Sequence, residues 1–242
     1  MEVHAHSHTE RKKWTHYFWE FFMMFLAVFC GFMAENWREH LVEESRAKEY
    51  AALLLNDLKN DSAYINRVLA NQSLMLHRAD TLLGILSSEQ FANNNNRVVG
   101  LFNQVGTLID FKPAFEINFE QIKNSGSLRY FKNKKLVSSL SELDRLLETT
   151  AEHYRGYDDF ILQNWRAFMI NHLNTLEFDI FSRTVLVPDP VIYDWNKREA
   201  IFLANKVNLK KTYDVFFINL YLKQCAEKNI ALISAIQKEY HL

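Results

Sequence analysis

Glycine and proline are scarce in this chain. Only 6 of its 242 residues are glycine and only 3 are proline. Turns and strand connections depend on these two residues, so their scarcity argues against a sheet-rich fold. The composition therefore predicts an all-α protein built from long helices.

Cysteine and excess charge are also lacking. The two cysteines, Cys30 and Cys225, lie far apart in the sequence, which excludes a disulfide framework. The chain has 28 Lys and Arg against 29 Asp and Glu, for a net charge of −1. No basic stripe accompanies stacking aromatics, so we expect no nucleic-acid partner.

Catalytic signatures are missing as well. We find no hydrolytic nucleophile motif and no glycine-rich phosphate loop. Neighbouring polar pairs, Glu152 with His153 and Asp158 with Asp159, point about 100° apart on a helix and do not converge on one substrate atom. We therefore expect no enzyme and no cofactor, and interpret these residues as solvated helix faces.

A long apolar run near the N-terminus is the most informative feature that is present. Every residue from 21 to 33 is apolar or small, and aromatic residues flank the run: Trp14, Tyr17, Trp19 and Trp37. A bilayer core about 30 Å thick needs roughly 20 apolar residues, with Trp and Tyr at the interfaces. Residues 14–37 are therefore predicted to form a single transmembrane anchor.

Two processing signals fit this run poorly. A signal peptide cleaved after Ala34 would place Phe32 where a small residue is needed. A lipoprotein signal ending at Cys30 would place the bulky Phe29 before the modified cysteine.

Three basic residues precede the run and only Arg38 follows closely. The positive-inside rule then predicts a cytoplasmic N-terminus and a C-terminal domain outside the inner membrane.

One helical face of the span carries Glu20, the only charged residue between 17 and 34, together with small residues. We call this the transmembrane face: Glu20, Met24, Ala27, Gly31 and Ala34. Small residues four apart let two helices approach closely. Glu20 is either a functional carboxylate in a packed interface or a side chain that reaches back to the headgroups.

The first 13 residues form a basic, His-rich tail. His4, His6 and His8 occupy alternating positions, and imidazoles bind Zn, Cu and Ni. A short flexible tail has no neighbouring groups to orient them. They are weak metal candidates, and we expect a solvated tail.

Residues 38–242 are predicted to form an elongated extramembrane helical bundle. The anchor helix should continue outward, with 60–62 either capping a new helix or lying on a solvated turn. A short helix is predicted at 98–108, another ends at Gly126, and a long one starts near Asn133 and runs toward Phe181. Residues 185–195 should be extended. The last helix, 196–240, has these core candidates: Leu209, Tyr213, Phe216, Phe217, Leu220 and Leu232.

Three segments carry a resemblance to a known family. They read A-E-N-W-R-E-H, E-Y-A-A-L-L-L-N-D-L-K-N-D and F-E-Q-I-K-N-S-G-S-L-R-Y-F-K-N-K-K-L. In these segments the chain resembles a family of single-pass, membrane-anchored helical proteins common in Bacteroidota. The resemblance implies one span and a helical extramembrane domain, and it implies no activity.

The N-S-G-S-L-R segment has two interpretations. Its backbone N–H groups and a basic side chain can bind an anion, through Asn124, Ser125 and Arg129. Alternatively, Gly126 simply ends a helix, its apolar neighbours pack inward and the arginine pairs locally.

The sequence favours a non-enzymatic scaffold or accessory subunit of an envelope complex, acting through helix–helix packing. Its partners would be the bilayer and either further copies of the chain or another membrane protein. One alternative is a sensor bundle that binds a small ligand among aromatic residues: Tyr157, Trp165, Trp195 and Tyr213. The other is an ion-coupled accessory subunit that uses Glu20.

Overall fold

The protein is all-α, as predicted. The computed structural model describes residues 14–89, 91–107, 111–173, 178–179, 184–185 and 196–242. Six α-helices account for most of these: α1 Trp14–Ser87, α2 Asn95–Val105, α3 Ala114–Asn124, α4 Lys134–His172, α5 Lys197–Phe217 and α6 Lys223–Tyr240. Two-residue strands, β1 Phe178–Asp179 and β2 Thr184–Val185, pair antiparallel.

The chain divides into two units, residues 1–49 and 50–242. In the first unit, the described residues belong to α1, and one stretch of that helix is long and apolar enough to cross a membrane. None of that stretch is buried by the rest of the protein. A helix is therefore present where the anchor was predicted, and α1 continues without a break to Ser87. No new helix starts at 60–62.

The second unit has two apolar clusters. The larger joins α1, α3, α4 and the C-terminal helix, and its fully buried side chains include Leu58, Ile65, Phe115, Phe119, Leu140 and Leu222. The smaller joins α1, α2, α4 and α5, through residues that include Leu82, Val98, Phe102, Trp165 and Leu203. At about 25 cal/mol per Å² of apolar surface removed from water, these clusters hold the bundle together.

Asp61 caps a helix distant in sequence. Its two carboxylate oxygens accept the backbone N–H groups of Ala114 (2.7 Å) and Phe115 (2.9 Å), the first residues of α3. Pro113 precedes that helix and supplies no side-chain cap, so Asp61 satisfies donors that a helix start leaves unpaired. The prediction of a solvated turn at this position was wrong, because Asp61 is buried.

Two asparagines and one glycine end or start helices as the sequence predicts. Asn133 accepts the N–H groups of residues 135 and 136 at the start of α4. Asn196 does the same for residues 198 and 199 at the start of α5. Gly126 follows α3 with φ of 70°, the left-handed conformation that glycine adopts without a Cβ penalty.

Two predicted helix bounds were displaced. The short helix begins at Asn95 rather than at 98, after a 3-10 turn at Phe91–Asn94, and it ends at Val105. The long helix ends at His172 and does not reach Phe181, which lies outside the described residues together with 186–195.

The last helix contains a π segment, Ile218–Leu222, between α5 and α6. Before it, the buried positions are Ala200, Leu203, Val207, Lys210, Asp214 and Phe217. After it, they shift by one residue to Ile218, Leu222, Cys225, Asn229, Leu232 and Ile236. A π segment adds one residue to the turn, which rotates the buried face to its new register.

Three of the predicted core residues are exposed. Leu209, Phe216 and Leu220 lie on the surface, while Phe217 and Leu232 are buried and Tyr213 is partly buried. The prediction failed because α5 has apolar residues on two faces. The face that packs inward is the one that also carries Lys210 and Asp214.

Candidate functional site

A buried ion pair lies on α5. Lys210 Nζ donates to Asp214 Oδ2 at 2.6 Å, and the two side chains are only 1% and 5% exposed. Spacing of four residues places both on one face of the helix. Burial raises the pKa of the Asp214 carboxyl, and the Lys210 ammonium opposes that rise. Such a pair costs desolvation energy, which makes it a candidate for a specific role.

Tyrosines from α4 surround the pair. Lys210 Nζ lies 5.2 Å from the centre of the Tyr157 ring, within cation–π range. Tyr157 also stacks on Tyr213 with 4.4 Å between ring centres. On the next turn of α4, the Tyr154 hydroxyl accepts a 3.3 Å hydrogen bond from the Gln72 amide on α1. Burial raises the pKa values of both α4 tyrosines.

These residues form a polar layer between the two apolar clusters. Tyr154 and Phe217 belong to the larger cluster, and Ile161 and Val207 belong to the smaller one. The polar layer therefore separates two dry regions of the bundle.

A cavity of about 490 Å³ opens beside the polar layer, between α4 and α5. We call it the α4–α5 cavity. Its lining residues are Glu152, His153, Gly156, Tyr157, Phe160, Leu209 and Tyr213. Cavities of about 300–1,000 Å³ with mostly apolar walls and a few polar groups are typical of small-molecule sites.

The polar end of the cavity is formed by His153 and Glu152. His153 Nε2 lies 2.7 Å from the Tyr221 hydroxyl on the π segment, and the two rings are 4.6 Å apart. The interpretation of these two α4 residues as solvated and divergent was incomplete. Both residues border one cavity. A space large enough for a ligand contacts side chains that point in different directions from the same helix.

The predicted transmembrane face lies on α1, where helical spacing keeps its five residues on one side. Glu20 is exposed, and His16 Nε2 lies 4.0 Å from its carboxylate. A Cβ built on Gly31 would meet nothing within 4 Å. The face is thus available for packing, and its function remains a prediction.

The predicted anion-binding turn uses its polar groups internally. The amide of Asn124 donates to Glu120, and the Ser125 hydroxyl donates to the Ile122 carbonyl. Arg129 donates to the neighbouring tyrosine hydroxyl at 3.1 Å. The N–H groups of residues 125, 126 and 129 bond to carbonyls of the same turn. Anion binding at this turn stays a prediction, and the hydrogen bonds described above already use these donors within the protein.

The remaining candidates divide between the core and the undescribed segments. Trp165 is buried, and its indole N–H donates to the Phe102 carbonyl at 3.0 Å, so it does not line the cavity. His4, His6, His8 and Trp195 lie outside the described residues. Within the part of the chain that the structure describes, no three His, Cys, Asp or Glu side chains are grouped to hold a metal ion.

Sequence reasoning missed the buried ion pair. The signal was present, because Leu203, Val207, Lys210, Asp214 and Phe217 follow the 3-4 spacing of one helical face. A Lys and an Asp on that face would have to pair in order to be buried.

Comparison of the chain with family models, with curated proteins and with solved structures finds no match.

Proposed function

We propose that the protein is a non-enzymatic scaffold or accessory subunit, anchored in the bacterial inner membrane with its helical domain in the periplasm. It would act by helix–helix packing against other proteins. The residues resembling membrane-anchored proteins of Bacteroidota agree with this proposal. We take the first partner to be a second copy of the chain, because identical spans place identical faces at the same membrane depth.

The observation that carries the proposal is the second apolar face of α5. We call it the α5 stripe: Phe202, Leu209, Phe216 and Leu220. Its four side chains are 39–57% exposed, although seven-residue spacing puts the first three on one side of the helix. Exposed apolar side chains aligned on one side of a helix favour an interaction site. The unpacked transmembrane face supports the same conclusion.

The mass of the full-length protein in mild detergent tests the proposal. We expect wild type to form a dimer or a larger complex, and Phe216→Lys to shift it toward monomer. Ile230→Lys is the matched control, because Ile230 is 59% exposed on α6 and lies off the stripe. A wild-type monomer without a co-purifying protein would contradict the proposal.

The α4–α5 cavity favours a second candidate function, a bundle that binds a small ligand outside the membrane. Tyr157 and Tyr213, two of the aromatic residues predicted for such a site, do line the cavity. Signal output would then require a partner, so the scaffold and ligand-binding functions are compatible.

A further inference from the structure

We propose that the α4–α5 cavity binds a small apolar organic amine, with its apolar body against Phe160, Leu209 and Tyr213 and its ammonium group at Glu152. The inference rests on the ligand-binding candidate, and Leu209 belongs both to the cavity wall and to the α5 stripe, so ligand binding and self-association are measured separately. Three observations carry it: the missing side chain at Gly156, the aromatic walls and the charge of the lining.

Gly156 provides the floor of the cavity. Glycine inside a helix is less favourable than alanine. A Cβ built at Gly156 would meet nothing within 4 Å, so no packed neighbour requires a glycine, and its φ is not positive. The consequence of the missing side chain is open space over the α4 backbone, which is the space a ligand needs.

The cavity walls are aromatic and arranged to hold a flat or chain-like apolar group. Tyr157 and Tyr213 lie parallel, with 4° between their ring planes, and Phe160 stacks near Tyr157 at 6.1 Å. Leu209 completes the wall while remaining 57% exposed. Its side chain contributes little to the core, so a ligand that covers it gains buried apolar area.

The charge of the lining selects a cation. Glu152 is the one Asp, Glu, Lys or Arg among the lining residues. The ammonium of Lys210, on the far side of Tyr157, is already bonded to Asp214, so it is not free to bind an anionic ligand. Aromatic rings also attract cations over anions. An amine therefore finds a carboxylate at Glu152, whereas no Lys or Arg lines the cavity to bind a carboxylic acid.

Three probes with the same ring and different charges test this inference: tryptamine, 3-methylindole and indole-3-acetate. Binding is measured by calorimetry on the full-length protein in lipid nanodiscs, with empty nanodiscs subtracted. We expect tryptamine to bind at least tenfold more tightly than 3-methylindole and indole-3-acetate to bind most weakly. Glu152→Gln should reduce the preference for tryptamine over 3-methylindole to less than threefold.

Two substitutions locate the site. Gly156→Leu fills the open space and should abolish binding of all three probes, whereas Gly84→Leu, at another helical glycine with open space above it, should leave binding unchanged. Glu152→Lys replaces the carboxylate of the lining with a cation, outside the α5 stripe, and should reverse the order, so that the acid binds more tightly than the amine. Thermal melting confirms that each variant is folded.

Several results would overturn the inference. They are absence of tryptamine binding to folded wild type, a preference of wild type for the acid, or tryptamine binding that survives Gly156→Leu. Self-association is measured separately by mass, so loss of probe binding with an intact complex rejects the amine site alone. Loss of the complex with intact probe binding rejects the scaffold alone.

Discussion

Removing the Asp61 side chain should destabilise the helical domain by more than removing the side chain of an exposed acidic residue. Asp61→Ala leaves the N–H groups of Ala114 and Phe115 without their two acceptors, which lie at 2.7 and 2.9 Å. Loss of a helix cap costs about 0.5–2 kcal/mol, and hydrogen bonds to a charged group are worth about 1.5–3 kcal/mol each. Burial raises the pKa of Asp61, which shows that its desolvation offsets part of this gain. We therefore expect a net loss of about 2–3 kcal/mol.

The assay is thermal unfolding of the full-length protein in mild detergent, followed by circular dichroism. For a domain of this size, 1 kcal/mol shifts the Tm by about 2–4 °C, so the Asp61→Ala variant should melt about 5–10 °C lower. Asp61→Asn keeps one acceptor and should fall between this variant and wild type. The control is Asp80→Ala on the same helix, where an exposed carboxylate pairs with Lys211 and the expected loss is below about 1 kcal/mol. Equal melting of the Asp61→Ala and Asp80→Ala variants would refute the assignment of Asp61 as the cap of α3.

Three further outcomes are expected in the same assay. Lys210→Met should lower the free energy of unfolding by about 3–5 kcal/mol, because it leaves the Asp214 charge buried and unpaired. The double variant Lys210→Met with Asp214→Leu should be more stable than Lys210→Met alone, and a less stable double variant would contradict this reasoning. Gly106→Ala should lower the Tm by more than about 4 °C, since a Cβ there would lie 2.1 Å from the Trp165 ring; unchanged melting would show that this contact relaxes freely. Burial raises the pKa of Asp214, so its contribution to stability is fully present below the ordinary Asp value of about 3.9 and is lost as pH rises through the folded pKa. The Tm difference between wild type and Asp214→Asn should therefore fall as the pH rises above about 4, and a rise would contradict this sign.

The local features of the fold could be predicted from the sequence. The apolar run, the scarcity of glycine and proline, and the caps at Asn133 and Asn196 depend on neighbours within a few residues. These features predicted the helices and several of their ends. Periodicity and capping are local properties, so a single sequence was enough to predict these helices.

Features that depend on distant contacts could not be predicted. Residues 60–62 were predicted either to cap a new helix or to lie on a solvated turn, but the helix that Asp61 caps begins 53 residues later. Leu209 and Phe216 follow a helical stripe as regular as the buried one, and pattern alone does not choose between two apolar faces. The π segment then shifts the buried register by one residue, which no spacing rule indicated in advance. The α4–α5 cavity is likewise absent from the sequence pattern, because it depends on how α4 meets α5.

Disulfide cross-linking in native membranes tests the central claim, packing of the transmembrane face against a second copy, most directly. In a background with both Cys30→Ser and Cys225→Ser, single cysteines are placed at Ala27 or Gly31 on the face and at Phe25 or Phe29 on the opposite side of α1. The account predicts cross-linked dimers from the first two positions and few or none from the other two. Equal yields at all four positions, or no dimer at any of them, would contradict it.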